Sequence, residues 1–250
     1  MKDTFLKNAP LKEVVFELQW EVDFLIEQGI RNDSGFEQAV LKLTHACQQD
    51  FKDVVLLKPE NIPPAAFIHR VTHRFFKIQG QHPLYQMGPG VFTVNDNNKN
   101  YRWADFEPMI RNGLDCLRAS YKKELIPSKV QLRYIDRVSP YIFGDDDKFE
   151  FLRTHLQVNA ESYPFIEGVL QDIQFNKRFL IDENSFVNLL ITTSVDKVSK
   201  EEVIEWHTFV SNNKRLTWTE LENWIANAHN ICSEVFKSMI SKQLHEYFSK

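Results

Sequence analysis

The residues best suited to bind a ligand lie in the stretch His69–Lys77, where basic and aromatic side chains interleave. Such interleaving is typical of surfaces that stack nucleic-acid bases and hold phosphates. Side chains alternate between the two faces of a strand, so His69 and His73 would share one face, about 13 Å apart and too far to share a metal ion. Arg70 and Arg74 would share the other face as a small anion site. The favoured interpretation is nevertheless a solvated sheet face whose cations pair with neighbouring acids.

A second polar cluster stands near the end of an otherwise apolar strand pattern, at Tyr134, Asp136 and Arg137. Asp136 and Arg137 are adjacent, so they point to opposite faces and do not pair with each other. An aspartate on the core side needs hydrogen-bond partners, which favours a structural anchor at the strand end. His229 lies one position off the apolar stripe of the last helix pattern and is expected to face the sheet, as a hydrogen-bonded core or boundary histidine. An enzyme site that uses His229, Asp136 or both is the alternative.

Several segments resemble phosphate-binding or metal-binding motifs but lack residues that those motifs require. The segment 88–90 contains two glycines but no phosphate-loop order and no helix directly after it, so we interpret it as backbone geometry. The segment 145–147 offers three aspartates without EF-hand spacing, which favours a solvated turn that leads a helix. Cys47, Cys116 and Cys232 are far apart and belong to no cysteine and histidine cluster. We therefore expect no metal site and no cofactor, and no catalytic residue is assigned.

Composition excludes several classes of protein. The 250 residues are 43% hydrophobic and 26% charged, which is ordinary for a folded globular chain. The formal net charge is −4, and neither half of the chain is basic, so no global field attracts nucleic acid or an anionic membrane. No apolar run approaches the roughly 20 residues of a membrane helix, and the first residues lack the apolar core of a signal peptide. Free cysteines within apolar helical patterns fit a reducing compartment, so we predict a cytoplasmic protein.

Hydrophobic periodicity predicts the elements of the first half. Alternation from Val14 to Val22 predicts a strand, and helical spacing from Phe36 to Cys47 predicts a helix capped by Ser34. The further elements predicted are a short strand at 54–57, a hairpin of arms 67–79 and 84–95 with a bend at 87–90, and a helix from Trp103 that stops before Pro127.

The second half repeats this order. The predicted elements are a strand from Val130 that ends at Pro140, a short helix around 149–156, strands at about 168–181 and 185–195 joined through 182–184, a strand at 202–210, and a helix from the capping box at Thr217 and Glu220 to about Tyr247. Both faces of 202–210 carry apolar groups, so a helix there is the alternative. The last helix would be about 45 Å long at 1.5 Å per residue, and so apolar a helix must lie across a sheet.

These elements predict an α+β fold in which one curved antiparallel sheet is covered on one side by helices. The repeated order suggests two tandem β-α-β-β-(β)-α halves, 1–125 and 126–250, packed as one globular unit that ends in a long helix. This order resembles that of TATA-binding-protein-like and helix-grip folds, a resemblance that carries no function.

The chain also resembles a sporadically distributed prokaryotic family that has no assigned function. The resemblance rests on four motifs along the chain, Asn8–Val15, Gln86–Asn95, Leu132–Val138, and Ala228-His229 with Phe236. Asp136 occupies a position at which the family is expected to favour asparagine. The resemblance implies a cytoplasmic prokaryotic accessory protein, linked through its patchy distribution to mobile or defence genes. It brings no catalytic residues with it.

Three functions follow from these observations. The leading hypothesis is a non-enzymatic binding or assembly module whose partner is another protein encoded nearby, because the sequence contains no catalytic signature and the charge is near neutral. The second is nucleic-acid recognition through the basic and aromatic stretch 69–77. The third is an enzyme of unknown type whose site uses His229, Asp136 or both.

Overall fold

The structure is a computed structural model that describes residues 6–27, 29–57, 62–144, 147–158 and 170–250. The described strands are Leu11–Trp20 (β1), Asp23–Leu25 (β2), Ile30–Asn32 (β3), Asp53–Leu56 (β4), His73–Phe76 (β5), Leu84–Gly88 (β6), Val91–Asp96 (β7), Pro127–Val138 (β8), Gln174–Leu180 (β9), Ser185–Val195 (β10) and Glu202–Asn212 (β11). The α-helices are Phe36–Cys47 (α1), Trp103–Ser120 (α2), Lys148–His155 (α3), Trp218–Met239 (α4) and Lys242–Ser249 (α5), and a 3₁₀ helix covers Pro64–Phe67.

Nine of these strands form one open antiparallel sheet in the order β4-β5-β6-β7-β1-β8-β11-β10-β9, and β2 pairs with β3 separately. The prediction of an α+β fold with a large antiparallel sheet is thus confirmed. In β1 the side chains of Val14, Phe16, Leu18 and Trp20 are all fully buried, as their period of two predicted.

Cα proximity divides the chain into two compact units. The N-terminal unit comprises Glu13–Leu132 and Ser211–Ala228, and the C-terminal unit comprises Met1–Lys12, Arg133–Val210 and His229–Lys250. The proposed internal repeat of two tandem halves stays a prediction.

A buried aspartate ties together three segments of the N-terminal unit. The Oδ2 atom of Asp33 accepts hydrogen bonds from the Tyr121 hydroxyl at 2.7 Å, the Gly90 N–H at 3.0 Å and the Trp20 indole at 3.3 Å. Gly90 adopts φ 75°, which a turn between β6 and β7 requires and glycine permits. Burial and the neighbouring Asp33 raise the pKa of Tyr121, so its hydroxyl remains the donor.

The core of the C-terminal unit lies between the sheet and α3, α4 and α5. Its fully buried side chains include Trp206, Ile204, Phe151, Leu152, Leu244 and Phe248. Ile204 and Trp206 are two residues apart on β11 and therefore share the face that the helices cover. The strand interpretation of 202–210 is confirmed, and the helical alternative is wrong.

Three local predictions need correction. The arm predicted at 67–79 is a strand only over His73–Phe76, because the chain is a 3₁₀ helix at 64–67 and turns through His69 at φ 57°. The arm predicted at 84–95 is two strands, β6 and β7, which pair across a turn at Pro89 and Gly90. Ser34 does not cap α1, because its hydroxyl donates to Asp23 and the N-cap residue is Gly35.

The helix predicted from Thr217 to about Tyr247 is also two helices. The capping box is confirmed, because the Thr217 N–H donates to Glu220 and the Glu220 N–H donates back to Thr217. However, α4 ends at Met239, and α5 begins at Lys242 with the Ser241 hydroxyl accepting from the Leu244 N–H. The hairpin of β2 and β3 was not predicted. Two predicted features, residues 168–169 at the start of a strand and Asp145 and Asp146 of the acidic turn, lie outside the described residues.

Candidate functional site

The structure gives the residues of the basic and aromatic stretch separate local contacts. His69 precedes β5, and its Nδ1 atom lies 3.0 Å from the Gly90 carbonyl oxygen. Arg70 is exposed before the strand begins, whereas Arg74 lies within β5 and donates to Gln86 on β6 at 2.8 Å. The Nδ1 atom of His73 is 3.0 Å from the Thr72 hydroxyl. The expected sharing of faces from His69 to Arg74 is therefore wrong, and binding by this stretch stays a prediction.

Two residues of the second predicted cluster, Tyr134 and Asp136, lie on the helix-covered face of the C-terminal unit, where Tyr134 contacts His229. Tyr134 and Asp136 alternate along β8 on one face, and His229 and Cys232 are three residues apart on one side of α4. The Tyr134 hydroxyl lies 2.8 Å from His229 Nδ1, and the two ring centroids are 6.0 Å apart. His229 thus faces the sheet, as its place beside the apolar stripe predicted.

Asp136 is a buried carboxyl group that is 5% exposed. Burial raises the pKa of Asp136 to about 8, and the adjacent Trp206 indole, whose N–H is outside strict hydrogen-bond geometry, offsets this only in part. Burial likewise raises the pKa of Cys232, and the nearby Asp136 adds to that increase. At neutral pH the cluster therefore holds a protonated acid and a neutral thiol, which suits a packed core better than a site that exchanges charge with solutes.

Arg137 lies on the opposite face of β8, as predicted for a residue adjacent to Asp136. It donates to Glu205 on β11 at 2.6 Å and 2.9 Å and to Asp196 in the β10–β11 turn at 2.6 Å. His207 Nε2 is 2.8 Å from the second oxygen of Glu205. Burial raises the pKa of Glu205, but the hydrogen bonds from His207 and Arg137 outweigh it and the pKa is lowered. The charged groups of this network are hydrogen-bonded to one another, and the network links β8 to the β10–β11 hairpin.

A strand was predicted at about 168–181, but its position as the exposed edge strand β9 of the sheet was not. It is the terminal strand of the sheet, and all its residues except Phe175 are exposed. The exposed fractions are 54% for Phe179, 76% for Leu180 and 48% for the following Ile181. The signal in the sequence was this run of apolar residues directly after Lys177 and Arg178, which does not alternate as a half-buried strand does.

The backbone of β9 offers hydrogen-bonding groups on its outer side. On its inner side, the Thr193 N–H donates to the Ile173 carbonyl and the Ile181 N–H donates to the Ser185 carbonyl. Residues that bond to the neighbouring strand alternate in an antiparallel pair, so those from Ile173 to Ile181 in steps of two face β10. The N–H and C=O groups of Asn176, Arg178 and Leu180 consequently point away from the sheet.

Other kinds of site are less developed within the described ranges. Among those residues, no group of three or more His, Cys, Asp or Glu side chains is placed to hold a metal ion. None of the described helices has the length and apolarity needed to cross a membrane. The N-terminal unit has a shallow cleft of about 550 Å³, bordered by Lys77, Asp96, Lys99 and Arg102. Its aromatic floor, Phe51 and Tyr85, is stacked and buried and therefore closed to a ligand.

Comparison with known proteins adds no function. No family model matches the chain, no curated protein matches it, and no solved structure matches it. The resemblance to a sporadically distributed prokaryotic family therefore stays a prediction, and the function must be argued from the geometry.

Proposed function

We propose that the chain is a non-enzymatic binding module that receives an extended segment of a partner protein along the outer edge of β9. The observation that carries this proposal is the seven-residue edge strand with its exposed residues Phe179 and Leu180. An open edge with exposed apolar side chains is a template for strand addition, in which main-chain hydrogen bonds supply affinity and alternate side chains supply specificity.

The opposite edge of the sheet lacks these properties. Strand β4 has four residues, and its exposed apolar side chains, Val54 and Leu56, are only 38% and 39% exposed. Short edge strands are one way in which proteins avoid unwanted pairing. Strand β9 is longer and more exposed, so it is the edge that we assign to a partner.

The charge of β9 indicates which partner it accepts. Lys177 and Arg178 form no ion pair with any carboxylate in the described part of the chain. Two copies of β9 paired antiparallel about their centres would bring these cations together, and like charges on facing strands are destabilising. A partner segment with acidic residues beside Lys177 and Arg178 and apolar residues beside Phe179 and Leu180 would complement the strand.

The remaining parts of the hypothesis concern the setting of this interaction. The three cysteines form no disulfide bond, which fits the reducing conditions of the cytoplasm. A partner encoded nearby, in a prokaryotic mobile or defence context, follows only from the resemblance described above.

The test compares two substitutions at one outward-facing position. Asn176→Pro removes an outer N–H without breaking a bond to β10, whereas Asn176→Ala keeps that N–H and serves as the matched control. Each protein would be captured gently from the source cells and weighed by native mass spectrometry. The partner found with wild type would then be mixed with each purified variant, and amide exchange would be measured on β9.

We expect the partner to bind wild type and Asn176→Ala, to be lost from Asn176→Pro, and to protect the amides of Asn176, Arg178 and Leu180. Lys177→Glu should weaken the complex if the segment is acidic. Equal binding by Asn176→Pro, with its melting temperature unchanged, would refute the proposal. If the protein forms a homodimer that Asn176→Pro dissociates, the segment bound along β9 belongs to a second copy of this chain and not to another protein.

A further inference from the structure

The face of the C-terminal unit opposite its helices carries a row of side chains that crosses four strands. Gln131 on β8 contacts Ser211 on β11, and six residues further along β8 Arg137 contacts Glu205, six residues back along β11. The two strands are therefore antiparallel, and Arg133 lies opposite Phe209. The same reasoning applies to the β10–β11 hairpin. The Asp196 N–H donates to Glu201, and four residues earlier the Thr192 hydroxyl donates to the carbonyl of Glu205.

This register completes the row. Continuing it by four residues places Asn188 on β10 opposite Phe209, and Asn188 pairs with Arg178 on β9. Arg133, Phe209, Asn188 and Arg178 thus follow one another across the sheet. Neighbouring strands are about 4.8 Å apart, so the row is about 14 Å long between its terminal Cα atoms.

Two polar atoms in this row are buried and unpaired. Within the described part of the chain, Arg133 Nε and Asn188 Oδ1 have no hydrogen-bond partner. One is a donor and the other an acceptor, but Phe209 separates them, and their Cα atoms are about 10 Å apart. A buried polar group without a partner costs free energy, so each of these two atoms would be stabilised by a hydrogen-bond partner that the described part of the chain does not supply.

The end of the row offers a second cation. The Arg178 guanidinium lies over the Phe186 ring at 3.6 Å from its centroid and forms no ion pair with a described carboxylate. Stacking of this kind leaves the N–H edge of a guanidinium open to a carboxylate or phosphate. The neighbouring Arg137 is different, because Glu205 and Asp196 already satisfy it. Unpaired groups are therefore concentrated in one row of this face.

We propose that this row binds a small anionic ligand with a planar ring, of which a mononucleotide is the fitting class. Its ring would lie on Phe209, an N–H of the ring edge would donate to Asn188 Oδ1, and its phosphate would accept from both Arg133 and Arg178. Arginine suits this role because its planar fork matches the oxygens of a phosphate. The site lies on the face of the sheet and needs no partner strand at its edge, although it shares Arg178 with the edge proposed to receive one.

The proposal can be tested by titrating the purified chain with AMP, CMP, GMP and UMP by calorimetry. Adenosine and inorganic phosphate supply the ring and the anion separately. Arg133→Met and Asn188→Leu remove the two unpaired groups with little change in volume. Arg178→Met alters an exposed residue and therefore tests the site without a risk to the core. Arg31→Met, on the exposed strand β3, is the matched control.

We expect at least one mononucleotide to bind about tenfold or more tightly than both adenosine and phosphate, because it makes both sets of contacts. Each of the three variants in the row should weaken that binding about tenfold, and Arg31→Met should leave it unchanged. The proposal is refuted if no mononucleotide binds wild type, if phosphate alone binds as well, or if Arg178→Met binds as wild type does.

Discussion

Replacing Asp136 by asparagine should change how the stability of the protein depends on pH. The folded carboxyl group has a pKa of about 8, whereas an aspartate in the unfolded chain titrates near its ordinary value of about 3.9. Between these values the folded state holds a proton that the unfolded state has released. The free energy of unfolding therefore falls as pH rises, and the contribution of Asp136 is complete only below the unfolded pKa.

The size of the effect follows from the pKa difference. Each pH unit between the two pKa values is worth about 1.36 kcal/mol, so wild type should lose about 2.5 kcal/mol between pH 5 and pH 7 through Asp136. Asparagine is neutral at every pH and resembles the protonated acid in shape, so Asp136→Asn should not lose this stability. Groups whose pKa is lowered, such as Glu205 and Asp23, respond in the opposite direction, but they are present in both proteins and cancel in the difference.

The assay is urea unfolding followed by tryptophan fluorescence at half-unit steps from pH 5 to pH 8. The free energy of unfolding of Asp136→Asn, relative to that of wild type, should increase by about 2.5 kcal/mol from pH 5 to pH 7. Infrared difference spectra should show the protonated carboxyl group of the wild type at pH 7 and its absence in the variant. Parallel stability curves would show that Asp136 is ionised in the folded state, and the reasoning from burial would then fail.

Three further predictions concern stability, each measured by urea unfolding. Thr217→Ala should cost about 1 kcal/mol through loss of the capping box, and no change would mean that α4 does not need its cap. Gly88→Ala should cost about 3 kcal/mol, because a Cβ there would lie 1.8 Å from the Arg70 carbonyl oxygen, and an unchanged midpoint would contradict that close approach. Asp33→Ala should also cost about 3 kcal/mol, because it leaves the buried Tyr121 hydroxyl unpaired, and a loss below about 1 kcal/mol would show that water replaces the carboxylate.

The hydrophobic periodicity of each segment predicted most of the helices and strands, because the residues that recur at the period of the element are the ones that are buried. Strand β1 and helices α1 and α2 follow this rule. The failures have tertiary causes. The strand predicted from residue 67 begins only at His73, because the preceding chain is held by the His69 N–H bonding to Pro89 and by the close contact of Arg70 with Gly88.

The candidate sites were harder to predict than the elements. The meeting of Tyr134 with His229 was foreseeable in part, since His229 was expected to face the sheet, although no face was predicted for Tyr134. The row of Arg133, Phe209 and Asn188 was not foreseeable, because it depends on which strands are neighbours and on their register. Neither property is encoded in the spacing of residues within one strand.

The polar residues of β8 show why Arg133 is the informative one. On the helix-covered face, Tyr134 bonds to His229 and Asp136 avoids the cost of a buried charge by keeping its proton. On the other face, Arg137 is neutralised by Glu205 and Asp196. Among the described side chains of β8, the Nε atom of Arg133 is the one polar atom that is buried without a hydrogen-bond partner. The unpartnered Nε of Arg133 lowers the stability of the folded chain, and the proposed ligand would offset this cost by supplying a hydrogen-bond partner. Stability and ligand affinity should therefore trade against each other at Arg133.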